Sequence, residues 1–459
     1  MTEDYRSRSL WLETYPGSLD PRPALEGDTQ VDIAIVGGGF TGLWTAYYLL
    51  QLDPSLRLIV LEKDIAGFGA SGRNGGWCVG ELAASPDRHE ELAGNDAARR
   101  LLGAVFDSVD EVGRVANAEG IDCHYAKGGV IRLARNRAQV ARQRDEVEHH
   151  QGAFGLSDDD LRLLDPAEAR SHLDATDVLG GMFYAHCAAV DPARLVRGLA
   201  EAVERQGGVI AEQTMVTAIE PGRVSTDRGI VQAEVVVRAL EGYTGSVEGH
   251  RRMMSPLYSL MVATEPLSDE LWSDLGLSQR QTFADDRHMV IYGQRTADGR
   301  IAFGGRGAPY RFGSKIDPAT ERRSSMHDRI IETLVEMLPP LGDVEFTHRW
   351  GGVLGLNRDW FPSVGFDRDT GIAWGGGYVG EGVSPSNLAG RTIAELVTDT
   401  SSPRVDLPWV GHHSRKWEPE PFRWLGINAA LRVMGVGDWS ENRSGRNSRL
   451  AVLANRFLR

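Results

Sequence analysis

Gly37, Gly39 and Gly42 form G-x-G-x-x-G, and Glu62 follows the last of them by 20 residues. This spacing suits the binding of a dinucleotide. The first glycine permits a tight turn, the second lets a pyrophosphate approach bare backbone, and the third lets a helix pack close to a strand. Glu62 would accept hydrogen bonds from a ribose, with Lys63 beside it counted among the nucleotide-binding residues. A second stretch, "GFGASGRNGG" at 67–76, is half glycine, and Arg73 is its only charge. Its backbone N–H groups, the Ser71 hydroxyl and the Arg73 guanidinium suit the other face of a pyrophosphate and the edge of an isoalloxazine. A nicotinamide dehydrogenase usually runs from the acid into another βαβ unit. This chain runs instead into Gly67, Gly69, Ser71, Gly72, Arg73 and Asn74, which favours FAD.

These residues need elements to carry them. The run 31–36 reads as a buried strand, "LWTAYYLLQL" as a helix, and "LRLIVLE" as a second buried strand. Residues 86–150 show exposed helical spacing around a strand at "YAKGGVIRLAR". Asp191 as N-cap with Pro192 starts a helix that Gly207 and Gly208 end. Strands through Val209 and Val216, a hairpin at "DRG" and the strand "AEVVVRAL" return the chain to the nucleotide sheet. Residues 250–345 predict antiparallel strands with an Asp-Gly hairpin at "TADGR" and a covering helix at 319–338. "GIAWGGGYVGEGVS" is a strand and glycine turn feeding a helix capped by Ser384, whose N-terminus suits the flavin edge that gains negative charge on reduction.

The pattern predicts an α/β protein in which a Rossmann-like FAD-binding domain is interrupted by an α+β substrate domain with a large antiparallel sheet. The FAD-binding domain takes 1–85, 186–248 and 345–400, the substrate domain 86–185 and 249–344, and a basic C-terminal arm 401–459. A length of 459 residues fits two domains. A net charge of −14 argues against an electrostatic hold on nucleic acid or an anionic membrane. Cys78, Cys123 and Cys187 are odd in number and far apart, which fits a reducing compartment without a disulfide framework or zinc site. With no apolar leader and no apolar run of spanning length, the expected location is cytoplasmic. No metal is expected, because His149 and His150 are adjacent on a helix, point apart and read as solvated, and His412-His413 has no partner ligands at metal spacing.

The blocks at 37–42, 67–76 and 375–391 resemble the D-amino-acid oxidase-like family of FAD-dependent oxidoreductases, nearest its γ-glutamylputrescine oxidoreductase-like subgroup. The resemblance runs from about 28 to 400 and implies oxidation of a C–N bond in a small amine or amino acid. A neutral amine gives its α-hydride to flavin N5, and the imine left behind hydrolyses, so no catalytic dyad is required. Gly37, Gly39, Gly42 and Glu62 are implied to bind the ADP half, Ser71 to Asn74 the pyrophosphate and flavin, Val216 the adenine, and Gly380, Gly382 and Val383 the ring. Ala302 stands where sarcosine oxidases carry a lysine that activates oxygen, which implies slow oxygen use and leaves the acceptor as oxygen or another carrier. No cysteine sits near the C-terminal flavin motif, so FAD is expected to be non-covalent.

Arg306 and Arg349 are candidates to hold a substrate carboxylate, with an interdomain salt bridge as the alternative for each. Tyr258, Tyr292, Trp350 and Tyr378 are candidates for an aromatic cage, against plain core packing. His288 is a candidate polar contact. The arm beyond 400, basic and bearing Trp417, Trp424 and Trp439, either lies on a membrane surface or packs on the acidic body, and packing is the expectation. A flavin-binding module without amine turnover and a nicotinamide dehydrogenase are the competing readings.

Overall fold

The structure is a computed structural model that describes residues 4–305, 307 and 310–458, with side chains to 454. Its first sheet has the order Ser363–Asp367, Ile372–Gly376, Ile230–Arg238, Thr29–Val36, Leu58–Leu61, Val209–Ala211. All neighbours run parallel except the edge strand Ser363–Asp367. A hairpin of Val216–Glu220 and Arg223–Thr226 adds antiparallel to Ile230–Arg238. Ile33, Ile35, Leu58 and Val60 face one packed cluster while Ala34, Val36, Ile59 and Leu61 face another. Burial on both faces explains why these strands read as continuous apolar runs rather than alternating ones.

The helix Phe40–Leu52 begins at Gly39 and packs between Pro192–Arg205 and Val383–Val397. Close approach is built in: a Cβ on Gly390 would lie 2.5 Å from Trp44 Cβ. Asp191 caps its helix as expected, accepting from the N–H groups of Ala193 and Arg194. Ser384 does not cap the last of these helices. The N-cap is Gly382, and Ser384 lies inside the first turn, where its hydroxyl donates to Val105 O at 3.3 Å.

The second sheet has the order Phe346–Leu356, Ser255–Thr264, Ile301–Gly305, Ile291–Arg295, Thr282–Asp285, Val130–Ala134, Gly180–Tyr184, Leu161–Leu164. It is antiparallel apart from one parallel pair, Thr282–Asp285 beside Val130–Ala134. Strand Phe346–Leu356 pairs along Ser255–Thr264 here, although the sequence division counts 345–400 with the nucleotide half. Its alternation of half-buried and exposed residues near the start, in contrast to the runs of the first sheet, is the local sign of that placement. The covering helix expected at 319–338 is two helices, Pro318–Arg323 and Met326–Met337, broken at Ser324, whose backbone is extended. The C-terminal segment forms helices Phe422–Ser444 and Arg449–Leu458. Among the described residues no helix is long and apolar enough to cross a membrane.

Candidate active site

The turn after strand Thr29–Val36 opens at Gly37, whose φ of +110° only glycine adopts without strain. A Cβ on Gly42 would sit 2.0 Å from Gly37 O, so this glycine lets the first helical turn lie on the preceding turn. Glu62, at the end of the neighbouring strand, accepts the Gly38 N–H at 2.9 Å and the Asp64 N–H at 2.9 Å. Burial pushes its carboxyl up to about 7 against the opposing effect of those two bonds. Ser71 Oγ accepts the Phe40 N–H at 2.9 Å and so joins the glycine-rich loop to the helix N-terminus.

That loop is not simply bare backbone left for a ligand. Several of its N–H groups bond inside the protein: Gly67 to Gly38 O, Gly72 to Gly67 O, and Gly76 to Asn74 Oδ1. Added Cβ atoms would meet Val196 at Gly67, Tyr292 at Gly75, and Gln294 with Val190 O at Gly76. Most of the glycine content therefore serves close protein packing. Trp350 Nε1 and Trp11 Nε1 hold the loop from below through Arg73 O and Asn74 O, at 2.9 and 2.8 Å.

A cleft of about 690 Å³ runs along these groups. Gly37, Gly39, Glu62, Lys63, Ser71, Asn74, Val216, Tyr378, Gly380, Gly382 and Val383 all line it. Gly42 and Gly72 do not, and serve packing instead. A second cavity, of about 790 Å³, adjoins it and shares Ala70, Asn74, Leu354, Gly380 and Val383. Arg73 and Tyr292 line this second space, where Tyr292 Oη and Ser259 Oγ are 2.5 Å apart. Its charged lining includes Glu81, whose carboxyl burial raises to about 7, with Arg132 acting the other way. Among the described residues, every arginine lining the cavity is already ion-paired: Arg73 with Glu321, Arg132 with Glu146 and Asp286, and Arg287 with Asp285.

Several candidates lie elsewhere. Arg349 pairs with Asp328 on the surface at 2.7 Å, a salt bridge within the half that holds the second sheet rather than one between domains. Trp350 and Tyr258 line neither cavity: Trp350 is wholly buried under the loop, and Tyr258 bonds the backbone of Asp317. Tyr378 lines the first cleft rather than the second cavity, its hydroxyl 3.0 Å from Thr41 Oγ1. His288 lines neither space and bonds Glu441 at 2.8 Å. His149 and His150 are not merely solvated, since both line the second cavity, with His149 paired to Asp87. Ala302 is wholly buried, in one packed cluster with Trp11, Met261 and Trp350. Arg306 lies outside the described residues.

Sequence reasoning missed Glu241. It lines the cleft, and its carboxylate accepts the N–H groups of Gly377 and Tyr378, both at 3.0 Å. Burial raises it to about 7. The available signal was its place just past the carboxyl end of a parallel strand, where ligands of such sheets bind.

The residues present fit a flavin dinucleotide. The cleft carries a glycine turn that a Cβ would fill, a helix N-terminus and a strand-end carboxylate, and it opens on a second cavity at its far end. The chain is 32% identical over 383 residues to γ-glutamylputrescine oxidoreductase of Escherichia coli (strain K12), covering 82% of this chain and 86% of that protein. It is 30% identical over 400 residues to the probable oxidoreductase OrdL of Rhizobium meliloti (strain 1021), covering 85% and 89%. Among solved structures, glycine oxidase from Geobacillus kaustophilus superposes with a TM-score of 0.69 at 21% identity, covering 82% of this chain and 96% of that one. L-proline dehydrogenase from P. horikoshii gives 0.66 at 20%, covering 84% and 96%. The model of the DAO family, FAD dependent oxidoreductases, matches residues 32–396, and this chain belongs to that family.

Proposed function

We propose that the protein oxidises a C–N bond, next to a carbon bearing hydrogen, in a small amine or amino acid that enters the 790 Å³ cavity. The observation that carries this reading is the meeting of the two spaces along Ala70, Asn74, Leu354, Gly380 and Val383. The segments of the first sheet are taken as the cofactor half and those of the second as the substrate half. Glu62 and the Gly37–Gly39 turn would hold the ribose and pyrophosphate, Val216 the adenine side, and Gly380 to Val383 the flavin end. Once bound there, FAD supplies a two-electron acceptor. The three cysteines are buried and line neither space, which supports non-covalent binding.

The protein's own part is placement. Tyr292 Oη and Ser259 Oγ offer the substrate a hydroxyl pair, and Met261 and Leu354 an apolar wall. With the lining arginines paired and Glu81 in the wall, the cavity favours an amine-ended molecule over one held by its carboxylate. The electron acceptor is oxygen or another carrier.

The test is anaerobic bleaching of the bound flavin by polyamines, γ-glutamyl amines, N-methyl amino acids and D-amino acids at neutral and alkaline pH. Bleaching by one class identifies the substrate, and admitting air then shows whether oxygen accepts the electrons. If none of them bleaches a visibly flavin-loaded protein, the reading fails and a flavin-binding module without amine turnover takes its place.

A further inference from the structure

Helix Phe422–Ser444 has two faces with unequal chemistry. Arg423, Ile427, Ala430, Met434, Gly437 and Glu441 form its buried stripe. Both acids of the helix turn inward: Asp438 accepts the N–H groups of His288 and Met289 at 2.7 and 2.9 Å, and Glu441 bonds Arg142 and His288. The opposite stripe has the same three-and-four spacing and points to solvent. It carries Phe422, Leu425, Val436 and Trp439, which are 67, 53, 56 and 64% exposed. Arg432 and Arg443 are its charged members, both exposed.

The short helix Arg449–Leu458 continues the surface. Ala451 is buried against the longer helix, while Leu450 and Leu453 are 64 and 65% exposed beside Arg446 and Arg449. Among the described residues, eight of the fifteen exposed large apolar side chains lie between 422 and 453. That concentration exceeds what single scattered surface residues explain. The exposed charged residues of the two helices and the turn between them, Arg432, Arg443, Arg446 and Arg449, are all positive, on a chain whose total is −14. The net charge therefore misstates this face.

We propose that this two-helix face docks on an anionic membrane surface, lying in the headgroup layer with its apolar stripe inward. Charge complementarity selects the occupant. Arginines flanking tryptophan and aliphatic residues match a layer that is apolar within and negatively charged at its boundary. A second copy fits poorly. Antiparallel self-pairing about the middle of the stripe would bring two Arg432 side chains to the seam, with like charges opposed. At a bilayer those guanidiniums reach the headgroups while their stems cover apolar surface.

The experiment is co-sedimentation of the full flavin-loaded chain with vesicles of phosphatidylcholine alone and of phosphatidylcholine with phosphatidylglycerol. Binding to the anionic vesicles, weakened by added salt, is expected. Val436→Glu with Trp439→Glu should lower it by roughly tenfold or more, as should Arg432→Glu with Arg443→Glu, with flavin content unchanged. Equal sedimentation of wild type and both variants overturns the proposal, as does no sedimentation at low salt. A dimer in solution that Trp439→Glu dissociates also overturns it, because the stripe is then a self-interface.

Discussion

Arg73 Nη1 and Glu321 Oε2 are 2.5 Å apart, and the two side chains are 1 and 6% exposed. The arginine lines the second cavity and the glutamate lines the cofactor cleft, so the pair forms part of the partition between them. The Arg73 guanidinium also lies 4.7 Å from the centre of the Phe68 ring.

Breaking this pair on one side leaves a buried charge uncompensated. Arg73→Gln should destabilise by about 3–5 kcal/mol, whereas replacing both partners with methionine should recover most of the loss. Urea midpoints of the single and double variants decide this. Equal destabilisation in both would show that the partition depends on the guanidinium's packing rather than on charge balance.

Glycine substitutions in the dinucleotide turn should separate by what the new Cβ meets. Gly42→Ala drives Cβ to 2.0 Å from a backbone oxygen, and Gly39→Ala drives it to 2.8 Å from the Ser71 hydroxyl. The first should lose flavin and about 1–3 kcal/mol of stability, while the second should fold and retain flavin only in part. The measurement is flavin per protein after gel filtration. Equal retention by both would contradict the geometry.

Glu62 and Glu241 are both raised to about 7 by burial. Between the unfolded carboxyl value and about 7, the folded flavin-free protein binds more protons than the unfolded chain. Its stability therefore falls as pH rises through that window. Glu62→Gln and Glu241→Gln should each flatten the fall, and Tm recorded from pH 5 to pH 8 on flavin-free protein reads it. A slope unchanged in both variants means the carboxyls are not buried as described.

Tyr292→Phe removes a hydroxyl 2.5 Å from Ser259 inside the second cavity, where the substrate is proposed to enter. It should lower kcat/KM by about tenfold, the worth of one buried hydrogen bond. Arg349→Ala, which breaks only the surface pair with Asp328, should leave KM alone and shift stability by less than about 0.5 kcal/mol. A large KM increase in the arginine variant would return that residue to the substrate site.

Adjacent residues alone made the first strand–turn–helix–strand unit legible. Gly37, Gly39, Gly42 and Glu62 are spaced along that one unit, and such local geometry is written in neighbouring residues. The capped helix at Asp191 and the hairpin at "TADGR" were legible for the same reason. The substrate side was not. Whether Tyr292 faces the cavity while Tyr258 and Trp350 do not depends on how strands distant in sequence pair, because a residue's face is set by register and not by type. Tertiary packing also decided the purpose of the glycine-rich loop, where Val196, Tyr292 and Gln294 come from remote segments to occupy the space beside it. Glu241 became visible only when the chain crossed over to bring Gly377 and Tyr378 within hydrogen-bond reach.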